Sequence, residues 1–241
     1  MILQDGDVVV AAGGDGTASI ALNGVILSKK DVAFNALPYG NFNDMAKTLS
    51  GEEGKKWYPL EVKINGKNWR YVGCYFSVGM FAASTRIFDE KGRRAKLKSK
   101  SGSLVYSIGQ LAGWYFQHKK ETFLPGAHLN NQEMSERLSD YLAVNGSRVA
   151  KVMRSDKYGL RDDSFWSSTG ELTNFWRLMR FMMGSMYRHV PGKRAEVDRI
   201  EFDEEKTVAV QVEGEGIKLK GVREIEVRKR QEGIRIAKKL W

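Results

Sequence analysis

Asp7-Val8-Val9-Val10-Ala11-Ala12 is a continuous apolar run that ends on Gly13-Gly14-Asp15-Gly16-Thr17. A run with no polar face fits a strand covered on both sides, as in a parallel sheet, better than one with a face open to water. Ala18 to Leu27 then carries Ile20, Leu22, Val25, Ile26 and Leu27, which predicts a helix capped at its N-terminus by Thr17. A second apolar stretch, Val32 to Leu37, runs into Pro38-Tyr39-Gly40, and Asn43-Asp44 precedes another helical stretch, Met45 to Leu49. Strand, turn and helix thus occur twice. Right-handed crossovers make such repeats a parallel, helix-covered sheet.

The period changes after Gly51-Glu52-Glu53-Gly54. Leu60, Val62 and Ile64 alternate with other residues, Asn65-Gly66 supplies a two-residue hairpin turn, and Trp69 to Phe76 predicts the returning strand. Further strands are predicted at Asp140 to Asn145, Arg199 to Phe202, Thr207 to Val212, Ile217 to Lys220, Glu224 to Arg228 and Ile234 to Ala237. Two helices interrupt them, Leu104 to Gln117 and Leu172 to Tyr187. The expected architecture is α/β plus β: a partial α/β domain over 1–54, with the C-terminal strand 233–241 as a candidate addition, and a β-sandwich over 55–232. Apolar residues nearly encircle the second helix, which favours a buried core helix. Arg177, Arg180 and Arg188 beside Trp176 and four methionines would also suit a helix lying in a membrane interface.

With 241 residues, 42% of them apolar, the chain can bury a substantial core and is not a small stapled scaffold. A single cysteine, Cys74, forms no intrachain disulfide and reads as a core residue of a strand; His118, His128 and His189 show no metal-ligand spacing. No stretch approaches a membrane span and the N-terminus does not read as a signal peptide, so a cytoplasmic protein is expected. The net charge of +10 is unevenly spread: residues 1–54 carry −4 and the remainder +14. A basic body suits nucleic acid, an anionic membrane surface or a phosphorylated ligand. Nucleic acid is disfavoured because charge alone supports it, without a recognisable binding motif. Lys91, Arg93, Arg94, Lys96, Lys98 and Lys100 form a cationic run that reads as a solvated loop or as a contact for anionic lipid.

Chemistry concentrates at two places. Gly13 to Thr17 sits where a phosphate-cradling loop has to sit, between a buried strand and a helix N-terminus, and its glycines let the backbone approach a phosphate closely. A tight turn needs one or two glycines; three around an Asp, in this context, point to a nucleotide site. Glu213 and Glu215 lie two apart on a predicted strand, hence on one face, where mutual repulsion would raise the pKa of one towards that of a useful base.

Gly13-Gly14-Asp15-Gly16-Thr17 followed by Pro38-Tyr39-Gly40-Asn41-Phe42-Asn43-Asp44 resembles the diacylglycerol kinase catalytic family, bacterial lipid kinases related to sphingosine and ceramide kinases. The first motif is shared with NAD kinases and phosphofructokinases; the second resembles the Pro-x-Gly-Thr-x-Asn-Asp pattern of the lipid kinases. Gly102 to Tyr106, Asn145-Gly146 and Val212-Glu213-Gly214-Glu215 resemble later family segments. The resemblance implies a Rossmann-like nucleotide domain, a β-sandwich domain and a cleft between them that joins ATP to a lipid alcohol, diacylglycerol by default. Gly13, Gly14, Asp15, Gly16, Thr17, Asn41, Asn43 and Asp44 would line the ATP site. Glu215 would accept the lipid proton, with Glu213 beside it. Asp163, with the carbonyls of Leu160 and Phe165, would hold a structural Mg²⁺, a hard ion suited to oxygen donors. A lipid substrate implies peripheral attachment to an anionic membrane, and a homodimer is compatible.

The chain departs from the family pattern by opening at the strand before the glycine loop, and by Asn41 for Thr, Glu213 for Asp and Ser164 for Gly. These departures keep two other readings in view: a catalytically inactive nucleotide or lipid sensor, and a soluble kinase of the NAD kinase kind.

Overall fold

The computed structural model describes residues 2–40, 43–89, 115, 123–149, 153–155 and 163–238. Strand β1 (Val8–Gly13) and β2 (Ala33–Pro38) pair in parallel, with Val8 opposite Ala33 and Gly13 opposite Pro38. Helix α1 (Asp15–Ser28) connects them, and α2 (Asp44–Leu49) follows β2. The α1 N-cap is Gly14, without a side-chain cap, and Thr17 lies inside the first turn rather than at the cap. The glycine loop is tighter than the Thr17 reading allows, because the helix starts three residues earlier.

The rest of the described chain is mainly antiparallel. Strand β3 (Lys56–Trp57) leads into the hairpin β4 (Leu60–Ile64) and β5 (Lys67–Val72), turned by Asn65 and Gly66, both at positive φ. The predicted strand 69–76 is broken: Gly73-Cys74 forms a bend before β6 (Tyr75–Gly79), which runs straight into α3 (Met80–Asp89). Cys74 is buried as expected, but at that bend. Then come β7 (Ala127–Leu129), β8 (Gln132–Glu133), β9 (Asp140–Val144), β10 (Arg148–Val149), β11 (Met153–Arg154) and β12 (Phe165–Gly170). Helix α4 (Phe175–Tyr187) precedes β13 (Lys193–Ala195), β14 (Val197–Val212), β15 (Glu215–Lys229) and β16 (Ile234–Arg235).

The large sheet runs β13-β12-β9-β6-β14-β15-β4-β5, with β7 and β8 attached beside β14. Asp203-Glu204-Glu205-Lys206 is polar enough to read as a gap between strands, yet β14 crosses it as one 16-residue strand. Register shifts between Glu201 and Val208 absorb the irregularity, so charged residues stand on an exposed, bulged stretch without ending the pairing.

Two clusters share this sheet. Tyr141, Ala143, Phe76 and Val78 face a core with Val62, Phe165, Val210, Val212 and Val227. Tyr75, Leu142 and Val144 face a different core with Leu22, Phe34, Met45, Leu49 and Trp57. Strand β9 is therefore buried along all five residues, which is why Asp140-Tyr141-Leu142-Ala143-Val144 lacks the alternation of a half-exposed strand. The C-terminal strand closes the α/β part: β16 pairs with β3, Ile236 bridges Phe34 in parallel, and the Ala237 N–H donates to the Phe34 carbonyl.

Helix α4 differs most from its expectation. It starts at Phe175, where the Asn174 side chain accepts from the Arg177 N–H at 2.8 Å, and only Leu178 and Ser185 along it are buried. Trp176 is 79% exposed, Tyr187 76% and Met183 43%. The core-helix reading is overturned: apolar residues surround the helix, but one side alone meets protein, through Met80, Phe81 and Leu172. The predicted helix at 104–117 falls outside the described residues apart from Tyr115, which is helical and donates its hydroxyl to the Leu172 carbonyl. The cationic run at 91–100 also lies outside them. Among the described residues no helix is long and apolar enough to cross a membrane.

Candidate active site

The glycine loop touches the second motif directly. A Cβ on Gly40 would lie 2.3 Å from the Gly14 Cα and 2.9 Å from the Asn43 Oδ1, so Gly40 is required by the contact of one loop with the other, and a Cβ on Gly14 would be tight at 3.3 Å from the Gly40 Cα. Asn43 sits at φ 56° and closes its own loop: its Nδ2 donates to the Gly40 carbonyl at 2.7 Å, and its Oδ1 accepts from the Gly40 N–H at 2.6 Å. Around Gly16, by contrast, nothing lies within 4 Å of an added Cβ, and Thr17 is exposed beside it. The open side of the loop is therefore at Gly16-Thr17, at the N-terminus of a 14-residue helix whose amides and dipole favour an anion.

Asp15 points inward. Its Oδ1 accepts from the Met45 N–H at 3.0 Å, and the backbone of Asn43 and Asp44 also donates to it. Asp15 thus caps the first turn of α2 from another helix. Burial raises its pKa in spite of these donors. An Asp15→Ala change would loosen α2 as well as the loop. Asp44 is fully buried at the start of α2. Asn41, expected beside it, lies outside the described residues.

The sheet contributes the other wall. Val212 pairs with Glu215 across a two-residue turn in which Glu213 and Gly214 have φ of 50° and 85°, so Glu213 stands in the turn and Glu215 directly after it, and they do not share one face of a strand. Glu213 turns inward and is 3% exposed; its Oε1 accepts from the Cys74 N–H at 2.6 Å, and its Oε2 is buried without a hydrogen-bond partner among the described residues. Desolvation, then the nearby carboxylates of Asp15 and Asp44, pushes its pKa from 4.5 up to about 8. The anticipated repulsion by Glu215 is not among the causes. Glu215 faces outward, half exposed, and pairs with Arg70 at 3.1 Å.

Asn145 and Gly146 hold this junction together. The Asn145 Nδ2 donates to the carbonyls of Tyr58 and Gly73, and its N–H donates to the Cys74 carbonyl. A Cβ on Gly146 would fall 2.9 Å from the Thr48 Oγ1 of α2 and 3.0 Å from the Cys74 Cβ. The structure therefore brings Gly13 to Thr17, Asn43 and Asp44 to one junction with Glu213, and sets Glu215 at its surface. It does not bring Asp163 there as part of a metal cluster: Asp163 is exposed, Phe165 opens β12, and Leu160 is outside the described residues. No group of three or more His, Cys, Asp or Glu side chains able to hold a metal forms among the described residues. Sequence reasoning missed the roles of Cys74 and Gly73 as backbone donors to Glu213; backbone groups carry no residue-type signal.

Residues 1–70 match the diacylglycerol kinase catalytic domain. The chain carries the diacylglycerol kinase catalytic family's signature in that segment. Over 102 residues it is 44% identical to a Staphylococcus haemolyticus protein provisionally named as a lipid kinase, a match spanning 38% of this chain and 32% of that relative. Two solved structures from Bacillus anthracis, provisionally described as diacylglycerol kinases, share the fold. One aligns with a TM-score of 0.58 at 16% identity over 93% of this chain and 74% of the other, and the second with 0.60 at 15% identity over 98% and 78%. The diacylglycerol-kinase-like fold, a parallel α/β part with a large antiparallel sheet, agrees with the architecture read from the sequence.

Proposed function

We propose that the protein is an ATP-dependent lipid kinase acting on diacylglycerol or a related lipid alcohol. The observation that carries the reading is the convergence of the glycine loop and the Asn43-Asp44 turn with the Glu213 turn at one junction, built from opposite ends of the chain. In this reading the open Gly16-Thr17 side of the loop and the α1 amides receive the triphosphate. Magnesium enters as the complex of the nucleotide substrate, which suits an ion that keeps much of its shell and binds through substrate phosphates.

The lipid hydroxyl needs an acceptor it can reach. Glu215, half exposed at the mouth, fits that role, and Arg70 holds its carboxylate in place. Glu213 has no solvent access to its free oxygen and serves as a positioning residue, fixing the Gly73-Cys74 backbone beside Asp15 and Asp44. Attack transfers the γ-phosphoryl group from ATP to the lipid oxygen as ADP leaves and Glu215 takes the hydroxyl proton.

The test is phosphoryl transfer from γ-labelled ATP to dispersed diacylglycerol. The parent is expected to form labelled phosphatidic acid, and Glu215→Gln to lower turnover about 100-fold or more with ATP affinity retained. Glu215→Gln as fast as the parent removes the acceptor assignment. ATP binding by calorimetry without transfer to any lipid alcohol supports the inactive sensor instead, for which Asn41 and Glu213 are the motivating departures.

A further inference from the structure

Helix α4 carries two adjacent exposed stripes. At 100° per residue, Trp176, Met183 and Tyr187 fall within about 40° of one another, and Arg180, Gly184, Arg177 and Arg188 follow on the next sector. The first stripe is apolar and open to solvent; among the described tryptophans only Trp176 is exposed. The second lines an open groove of about 400 Å³, whose lining also includes Thr169, Gly170, Glu171, Leu172 and His189. Arg177 reaches Glu171 at 3.4 Å, and neither Arg180 nor Arg188 has a carboxylate partner among the described residues. The Nδ1 of His189 is buried there with no hydrogen-bond partner among them. Gly184 leaves the middle of the stripe bare, since a Cβ placed on it would meet nothing within 4 Å.

We propose that this face of α4 docks the protein on an anionic membrane, with the groove seating a lipid phosphate while Trp176, Met183 and Tyr187 enter the headgroup region. The proposal rests on the lipid-kinase reading for its biological sense, but the surface argument stands on the helix itself. Arginine forks match phosphate oxygens, whereas Trp and Tyr rings favour the boundary between acyl chains and water. An arginine stripe alone would be satisfied by solvent, and an apolar stripe alone would suit a protein partner. Side by side on one helix, they complement a bilayer surface, which offers phosphates and hydrocarbon at adjacent depths. The excess of 14 positive charges after residue 54 directs the same body of the protein towards such a surface.

Sedimentation with phosphatidylcholine vesicles, with and without phosphatidylglycerol, tests the proposal on the full chain. The parent should bind the anionic vesicles more tightly. Arg177→Ala, Arg180→Ala and Arg188→Ala should each weaken binding roughly five-fold, and together on the order of 100-fold. Trp176→Ala should remove a blue shift in tryptophan fluorescence that the parent shows on anionic vesicles. Gly184→Leu fills the groove without altering charge and replaces a helix-breaking residue with a helix former, so it keeps the fold; it should weaken anionic binding several-fold. Parent-like binding by the triple variant, or by Gly184→Leu, overturns the proposal. So does displacement of the bound protein from vesicles by millimolar inorganic phosphate, which would mark a site for free anions. Transfer to a short-chain diacylglycerol dispersed without vesicles separates the two readings: the α4 variants should keep it, while its absence from a parent that binds vesicles would count against the kinase and leave the docking surface standing.

Discussion

Glu213 shows how one side chain can be set by tertiary burial against its own chemistry. In the folded chain it holds its proton up to about pH 8, against an ordinary 4.5. Its surroundings are the carboxylates of Asp15 and Asp44 and the Cys74 thiol, which burial and Glu213 itself push upward. A raised acid pKa means folding takes up a proton in the intervening range, so the stability is complete below about 4.5 and is lost as pH rises through about 8. The slope is about 1.4 kcal/mol per pH unit at most. Asp15, raised by burial, adds in the same direction. Glu213→Gln keeps an acceptor for the Cys74 N–H and removes the titration. Thermal unfolding followed below 4.5 and above 8 should show the variant near the parent at the acid end and more stable than it at the alkaline end; parallel curves would contradict the burial. Gly40→Ala tests the loop contact. Its Cβ, 2.3 Å from the Gly14 Cα, cannot be accommodated without moving a loop. The expected cost is about 1–3 kcal/mol in chemical denaturation, with ATP affinity falling about ten-fold or more as the glycine loop shifts.

At the scale of elements, ends and turns carry much of the specificity. Helix α4 buries little, so its N-cap matters more than it would in a core helix. Asn174→Ala removes the 2.8 Å bond to the Arg177 N–H and should cost about 1 kcal/mol, a fall in Tm of roughly 2–4 °C for a chain of this size. Circular dichroism melts check it, and an unchanged Tm would show that the first turn is held by Leu172 and Leu178 packing instead. Turns behave alike. Asn130-Asn131, with φ of 53° and 63°, joins β7 and β8, and Glu213-Gly214 joins the two longest strands. Both are left-handed two-residue connections whose twist matches that of the strands they join. The Asn-Asn pair was readable on that ground. Glu213 was not, because Glu has no preference for positive φ and takes it here where its carboxyl turns inward onto the Cys74 amide.

Across the whole molecule, the two ends of the chain meet. Ile234 and Ile236 are buried in the core that contains Phe34 and Trp57, Ala237 is buried beside them, and the Asn35 Nδ2 donates to the Ala237 carbonyl at 2.8 Å. Ending the chain at Gly233 should therefore uncover β2 and β3 together. Two buried isoleucines at about 2–3 kcal/mol each, with the lost strand hydrogen bonds, give a destabilisation on the order of 5 kcal/mol. Urea denaturation of the truncated protein should show a much lower midpoint, or no cooperative transition. A midpoint equal to the parent's would show that β16 is an accessory. Because the candidate ATP loop belongs to the same α/β part, nucleotide affinity should fall with it.

By itself the sequence determined the local alphabet of this fold. The apolar run Val8 to Ala12 read as a strand, the glycines after it as a tight loop and the Asn65-Gly66 pair as a hairpin turn. Those features depend on residues adjacent in the chain, so their physics is visible there. The expected cover on both sides of β1 does not form among the described residues, since Val8 and Ala12 are exposed and only Ala11 is buried, and Gly16 makes no close approach. Tertiary structure alone decided that Asp15 caps α2, that Glu213 is buried and Glu215 is not, that β14 runs through Asp203 to Lys206, and that α4 lies on the surface. Each of these depends on which distant segment supplies a donor, excludes water or leaves a face uncovered. Polarity and period are blind to that: an apolar stripe has the same spacing whether a protein core or a lipid surface is meant to cover it.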